Sequence, residues 1–150
     1  MKTGRLHLKH FQNSECTVEC WLSLDDIYHG IYLLKNQHSN DPIHIIHKGP
    51  LEFIANLQGL SFYYGDSVIQ IASVLIRTLI QDHPLQDGNK RVGMLLGSLF
   101  LENNGFMLVC SDEDFFEVAM TLASGEMKRE DLEEWLEDNV DLMEDIFPSN

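Results

Sequence analysis

Apolar positions along the chain fall into a series of helical patterns. Ser23 opens the first as an N-cap. Leu24, Ile27, Ile31 and Leu34 then recur at the i, i+3, i+7, i+10 spacing of one helix face. Turn signals at Asn40-Asp41-Pro42 and Gly49-Pro50 follow. Between them Ile43-His44-Ile45-Ile46-His47 is short and β-branched, which suits a lone strand or hairpin limb. Pro50 fits the first turn of a second helix, Leu51 to about Leu57. Asp66 to Gln81 is apolar on most of its surface, as expected of a central, buried helix. Val92 to Asn103 reads as another buried helix, closed by Asn104-Gly105. Phe106 to Cys110 is a short extended stretch. Ser111 and Asp114 then open a helix over Asp112 to Ala123 that Gly125 ends. A last helix is predicted from about Glu130 to Ile146, with Leu132, Trp135, Leu136, Val140 and Met143 on one face. Residues 1–20 are poor in apolar positions and read as an N-terminal extension, with residues 21–147 as one domain. The fold class expected is all-α, with about six helices and at most a small β element.

Composition narrows the function classes. The chain has 150 residues, 44% apolar and 23% charged, enough for one closed core. Ten Lys and Arg face twenty-four Asp and Glu, a net charge of −14. That balance argues against nucleic-acid binding, which needs a basic footprint, and against docking on an anionic membrane. The N-terminus lacks an apolar signal region, and no apolar run reaches eighteen residues. Cys16, Cys20 and Cys110 match neither a disulfide framework nor a zinc knuckle, so reduced thiols and a cytoplasmic location are expected.

The chemistry sits between the two most apolar helices, in His83-Pro84-Leu85-Gln86-Asp87-Gly88-Asn89-Lys90-Arg91. From Thr78 to Met127 the only Lys or Arg residues are Lys90 and Arg91. A strongly acidic chain thus places its central cations together, just after a glycine and at a helix start. A helix N-terminus offers unbonded N–H groups and a positive dipole end. Gly88 lets a ligand approach the backbone, and Asn89, Lys90 and Arg91 add donors. Together these residues describe an oligophosphate cradle without a P-loop sequence. Asp87 would hold Mg²⁺ between itself and phosphate oxygens. The imidazole of His83 is the candidate general base. Each residue alone suits an ordinary helix end or solvated face; the conjunction carries the reading.

This segment resembles the signature of the Fic/Doc (Fido) family, and Lys90 resembles the Doc (death on curing) branch, where adenylyltransferases carry Gly. Phe100-Leu101-x-x-Asn104-Gly105, Ser23-Leu24 and Leu51-Glu52 fit the family layout, so the resemblance spans about Trp21 to Val140. It implies a compact helical domain with the loop at its centre and a small β flap. It implies His83 as base, Asp87 on Mg²⁺, and Gly88, Asn89, Lys90 and Arg91 on the phosphates of ATP or another nucleoside triphosphate. Doc-like members phosphorylate elongation factor Tu on a threonine and are restrained by a Phd-type antitoxin. Adenylyltransferases instead move AMP to a Ser, Thr or Tyr hydroxyl, and carry a second Arg three residues after the first. Met94 stands there in this chain. Leu85 replaces the family's Phe, and Val92-Gly93 its Thr-Ala.

The resulting expectation is a Doc-like toxin kinase acting on a protein hydroxyl. AMP transfer and a catalytically silent binding module are the alternatives. Ser98 to Asn103 matches the letters of a self-inhibitory family motif but reads as core, which leaves control to a separate antitoxin. His44 to His47 falls where the family has its substrate flap; a plain loop packed on the core accounts for it equally. A metal pair at His44 and His47 lacks supporting ligands.

Overall fold

A computed structural model describes residues 16–37 and 43–148. The expected turn at Asn40-Asp41-Pro42 and most of the expected N-terminal extension lie outside the described residues. The elements run α1 (Leu24–Gln37), α2 (Gly49–Ala55), a 3-10 turn (Leu57–Leu60), α3 (Ser61–Tyr64), α4 (Val68–Gln81) and α5 (Asn89–Asn103). They continue with β1 (Phe106–Leu108), α6 (Asp112–Ala123), α7 (Arg129–Asn139), β2 (Val140–Leu142) and α8 (Met143–Ile146). The expected all-α class holds, with one two-stranded antiparallel sheet among the described residues, β1 on β2. Among the described residues no helix is long and apolar enough to cross a membrane.

Helix α4 is the axis of the domain. Ser67 Oγ accepts the Gln70 N–H at 3.1 Å and Gln70 Oε1 accepts the Ser67 N–H at 3.4 Å, a capping box that starts the helix. Ile71, Ala72, Leu75, Ile76, Leu79 and Ile80 are then buried almost completely. Helix α5 packs along α4 closely because Gly93 and Gly97, one turn apart, face it. A methyl group at Gly97 would lie 2.7 Å from Ile76 Cγ1, and one at Gly93 3.0 Å from Ile80 Cγ1. Gly93 is thus a point of close contact with α4, and Val92 beside it is fully buried.

Overpacking such a contact costs about 1–3 kcal/mol. Gly97→Val is expected to lower the melting temperature by about 2–12 °C, on the scale of 2–4 °C per kcal/mol for a domain of this size. Gly59→Ala, whose added methyl meets nothing within 4 Å, should leave it unchanged. Thermal denaturation of both variants checks this.

Three expectations need correction. The segment from Glu130 to Ile146 is not one helix: α7 ends at Asn139 and Val140 turns into β2. Val140 pairs with Leu108 and is fully buried, so its place in the apolar series is real but its backbone is extended. Helix α5 begins at Asn89 rather than Val92. The segment 43–47 forms no strand; only Ile45 makes an isolated bridge, to Leu85.

Before α1, Thr17 bridges to Ser67, and the Asn104 side chain clamps this strap. Its Oδ1 accepts the N–H groups of Glu19 and Cys20, and its Nδ2 donates to the Cys20 carbonyl, each at 2.9 Å. Cys16 and Cys110 are half-buried and Cys20 is exposed.

Candidate active site

The loop between α4 and α5 is held by backbone and by one side chain. Asn89 Oδ1 accepts the Leu85 N–H and Asn89 Nδ2 donates to the Leu85 carbonyl, both at 2.9 Å. Leu85 itself is only 1% exposed and anchors the loop in the core. From the other side the segment 43–47 zips onto the loop. Pro84 O accepts the N–H groups of Ile46 and His47 at 2.8 and 3.0 Å, and Gln86 N–H donates to His44 O at 2.9 Å. Ile43 is buried beneath, while Ile46 is exposed. The side of the loop left open carries the polar residues.

His83 follows the end of α4 with φ +47°, and it is the one non-glycine residue at positive φ among the described residues. The left-handed region costs an L-residue roughly 1–2 kcal/mol. Such strain collects at functional sites, where surrounding bonds hold it. Here the Leu85–Asn89 brace and the Pro84 bonds hold it. The imidazole is exposed, and its Nδ1 lies 3.5 Å from Asn89 Nδ2. That separation is at the limit of a hydrogen bond, and because an amide N–H only donates, a bond there takes Nδ1 as the acceptor.

Gly88, at φ +90°, is the N-cap of α5. A methyl there would sit 3.2 Å from Arg91 Nη2, which shows the guanidinium folded back over the loop. Val92 N–H closes the first helical bond, to Gly88 O at 2.9 Å. The N–H groups of Asn89, Lys90 and Arg91 therefore lie in the first turn, where no earlier carbonyl is in register for them. The earlier start of α5 makes these three residues the helix terminus itself. The macrodipole adds its positive end at the same place.

Asp87 is exposed and one of its oxygens accepts the Gly88 N–H at 2.8 Å. Its other oxygen carries no bond within the described residues. Among those residues no group of three His, Cys, Asp or Glu gathers as a metal site. A single hard oxygen beside an anion cradle suits Mg²⁺, which keeps waters and shares phosphate oxygens rather than needing a protein cage.

Lys90 Nζ lies 3.0 Å from Met120 Sδ and 5.4 Å from the centre of the Phe116 ring, both on α6. A thioether and a ring face are weak partners for an ammonium, which leaves Lys90 available to an anion. His83, Asp87, Gly88, Asn89, Lys90 and Arg91 all line one cavity of about 410 Å³, which Phe116 and Ala123 of α6 close. All six residues singled out in the sequence are thus brought together. The Asn89 side chain spends its Oδ1 and one Nδ2 hydrogen on Leu85, and its backbone N–H lies in the first turn of α5. Phe116 was not anticipated, since nothing near it in sequence ties it to the loop.

A family model described as Fic/DOC family matches residues 22–101. Comparison with the curated proteins finds no match.

Proposed function

The chain belongs to the Fic/DOC family, and on that footing we propose that it is a protein kinase of the Doc type. Members of the family are generally transferases acting on proteins with a nucleotide as donor. In this reading the γ-phosphate of ATP or another nucleoside triphosphate passes to a Ser or Thr hydroxyl, with elongation factor Tu as the target by family resemblance. One conjunction supports it: an exposed imidazole and two cations line one cavity at the open N-terminus of a fifteen-residue helix.

The neutral His83 ring takes the proton of the incoming hydroxyl. The hydroxyl oxygen bonds to the γ-phosphorus, the bond to the bridging oxygen breaks, and the nucleoside diphosphate leaves with the electron pair. The N–H groups of the first α5 turn, with Lys90 and Arg91, hold the phosphates and take up the charge that develops on them. Asp87 would hold Mg²⁺, which when bound neutralises phosphate charge. Asn89 holds the loop that carries His83.

Phosphate rather than AMP transfer is favoured by the wall past Arg91. Met94 is half-buried and packed on the core, so α5 offers no second guanidinium there. Control by a separate antitoxin of the Phd type is favoured by Ser98 to Asn103. This stretch lies inside α5 with Phe100 and Leu101 buried, where it serves packing.

Parallel reactions with ATP labelled at the γ or the α position, run with elongation factor Tu, test the proposal. Label from the γ position alone is expected on protein. Label from the α position alone would replace the kinase by an AMP transferase, and none from either would leave a silent binding module.

A further inference from the structure

Beside the catalytic cavity lies a larger cleft, about 900 Å³, between α3, the C-terminal half of α4, and the junction of α6 with α7. The two share Ala123 as a common wall. Arg77, Lys128 and Arg129 line the larger cleft, with Tyr63 and Tyr64 at its side. Seven Lys and Arg residues are among those described, and five of them line these two adjoining spaces. A chain with a net charge of −14 does not collect its cations this way by chance solvation of a surface.

Arg77 is the sharpest feature. It is the only charged residue of α4, and the only exposed one among Ile71 to Ile80. No carboxylate among the described residues pairs with it. Arg129 is occupied differently: its Nε lies 3.5 Å from Glu133 Oε1, an ion pair without a hydrogen bond, and its guanidinium sits 5.9 Å from the centre of the Tyr64 ring. Asp82 and Glu130 also line the cleft, so it is not uniformly positive and does not suit a polyanion. It suits a chain that brings one carboxylate to one guanidinium, with apolar or polar contacts to the tyrosines around it.

We propose that this cleft binds the target polypeptide beside its acceptor hydroxyl, and that Arg77 selects an acidic side chain there. Arg77 precedes the end of α4 at Gln81 by four positions, roughly 6 Å at 1.5 Å per residue, and His83 lies two residues beyond it. An extended peptide spans such a separation in about two to four residues at 3.3 Å each. The acidic residue is therefore expected about two to four positions from the acceptor. This deepens the transfer reading and takes the acceptor from it, but binding to the cleft is measurable without transfer.

The test uses the full chain and short fluorescein-labelled peptides with a central serine in an alanine–glycine background. Glu or Gln is placed at successive positions on either side of the serine, and affinity is read by anisotropy. A Glu peptide is expected to bind about tenfold or more tightly than its Gln twin, with the optimum about two to four residues away. Arg77→Gln should erase that preference and leave ATP affinity unchanged. Lys35→Gln, an exposed cation outside the cleft, should keep the preference. Equal binding of Glu and Gln peptides, or a preference that survives Arg77→Gln or vanishes equally with Lys35→Gln, overturns the proposal. If the preference behaves as expected while γ-label reaches no peptide or protein, the cleft stands and the kinase reading alone fails.

Discussion

Replacing His83 by glycine is expected to slow transfer to a protein hydroxyl by a factor of about 10²–10⁴ while leaving nucleotide affinity within a few-fold of the wild type. Glycine is the informative replacement because residue 83 sits at φ +47°, and glycine takes that conformation without strain. His83→Ala removes the same ring but keeps the left-handed penalty, so agreement between the two variants separates lost chemistry from a disturbed loop. Retention of nucleotide is expected because the cradle lies elsewhere, in the first turn of α5 with Lys90 and Arg91. The imidazole contributes only an edge-distance contact to Asn89. Single-turnover transfer from γ-labelled ATP and calorimetric titration with the nucleotide give the two readouts. Transfer that persists within tenfold in both variants would remove His83 from the role of base. A parallel collapse of nucleotide affinity would make it a ligand of the phosphates instead.

Much of the site was legible in the sequence because its signal is local. The contrast between two greasy helices and a nine-residue joint rich in ionisable groups needs no tertiary information. Nor does the pairing of Lys90 and Arg91 in a stretch otherwise free of Lys and Arg. What escaped reading depends on distant partners. Leu132, Leu136 and Val140 follow one another at helical spacing, yet Val140 leaves the helix because β1 needs a strand to complete its hydrogen bonds. The segment 43–47 is β-branched enough for a strand, but its available partner is the loop 84–86, which spends its other groups on Asn89. A single bridge results. Phe116 and Ala123 line the cavity from α6 and Met120 meets Lys90, and nothing in their spacing distinguishes them from an ordinary amphipathic face. The start of α5 was misplaced by three residues because Gly88 caps through its left-handed backbone rather than through a side chain.

The role of Asn89 leads to the second large effect. As a phosphate ligand, its loss would weaken nucleotide binding and leave the fold alone. As the brace of the loop, its loss strands the Leu85 N–H and carbonyl, both part-buried, at about 1–3 kcal/mol for each group left unsatisfied. Asn89→Ala is therefore expected to destabilise the domain by about 2–6 kcal/mol. Transfer should fall further than nucleotide affinity, since a loosened loop misplaces His83 while the backbone N–H groups of α5 stay in register. Asn89→Asp refines the test. Its carboxylate still accepts the Leu85 N–H but sets an oxygen against the Leu85 carbonyl, where Nδ2 had donated. It gains some offset from the helix dipole at this first-turn position, so it should fall between wild type and alanine in stability. Urea denaturation of the three proteins, read beside their nucleotide affinities, distinguishes the two roles. An unchanged denaturation midpoint with a large loss of nucleotide affinity would return the amide to the phosphates. The reverse would mean that the left-handed His83 is held in place by a hydrogen-bonded neighbour six residues on, so that the candidate base and the phosphate cradle are set by one loop rather than assembled separately.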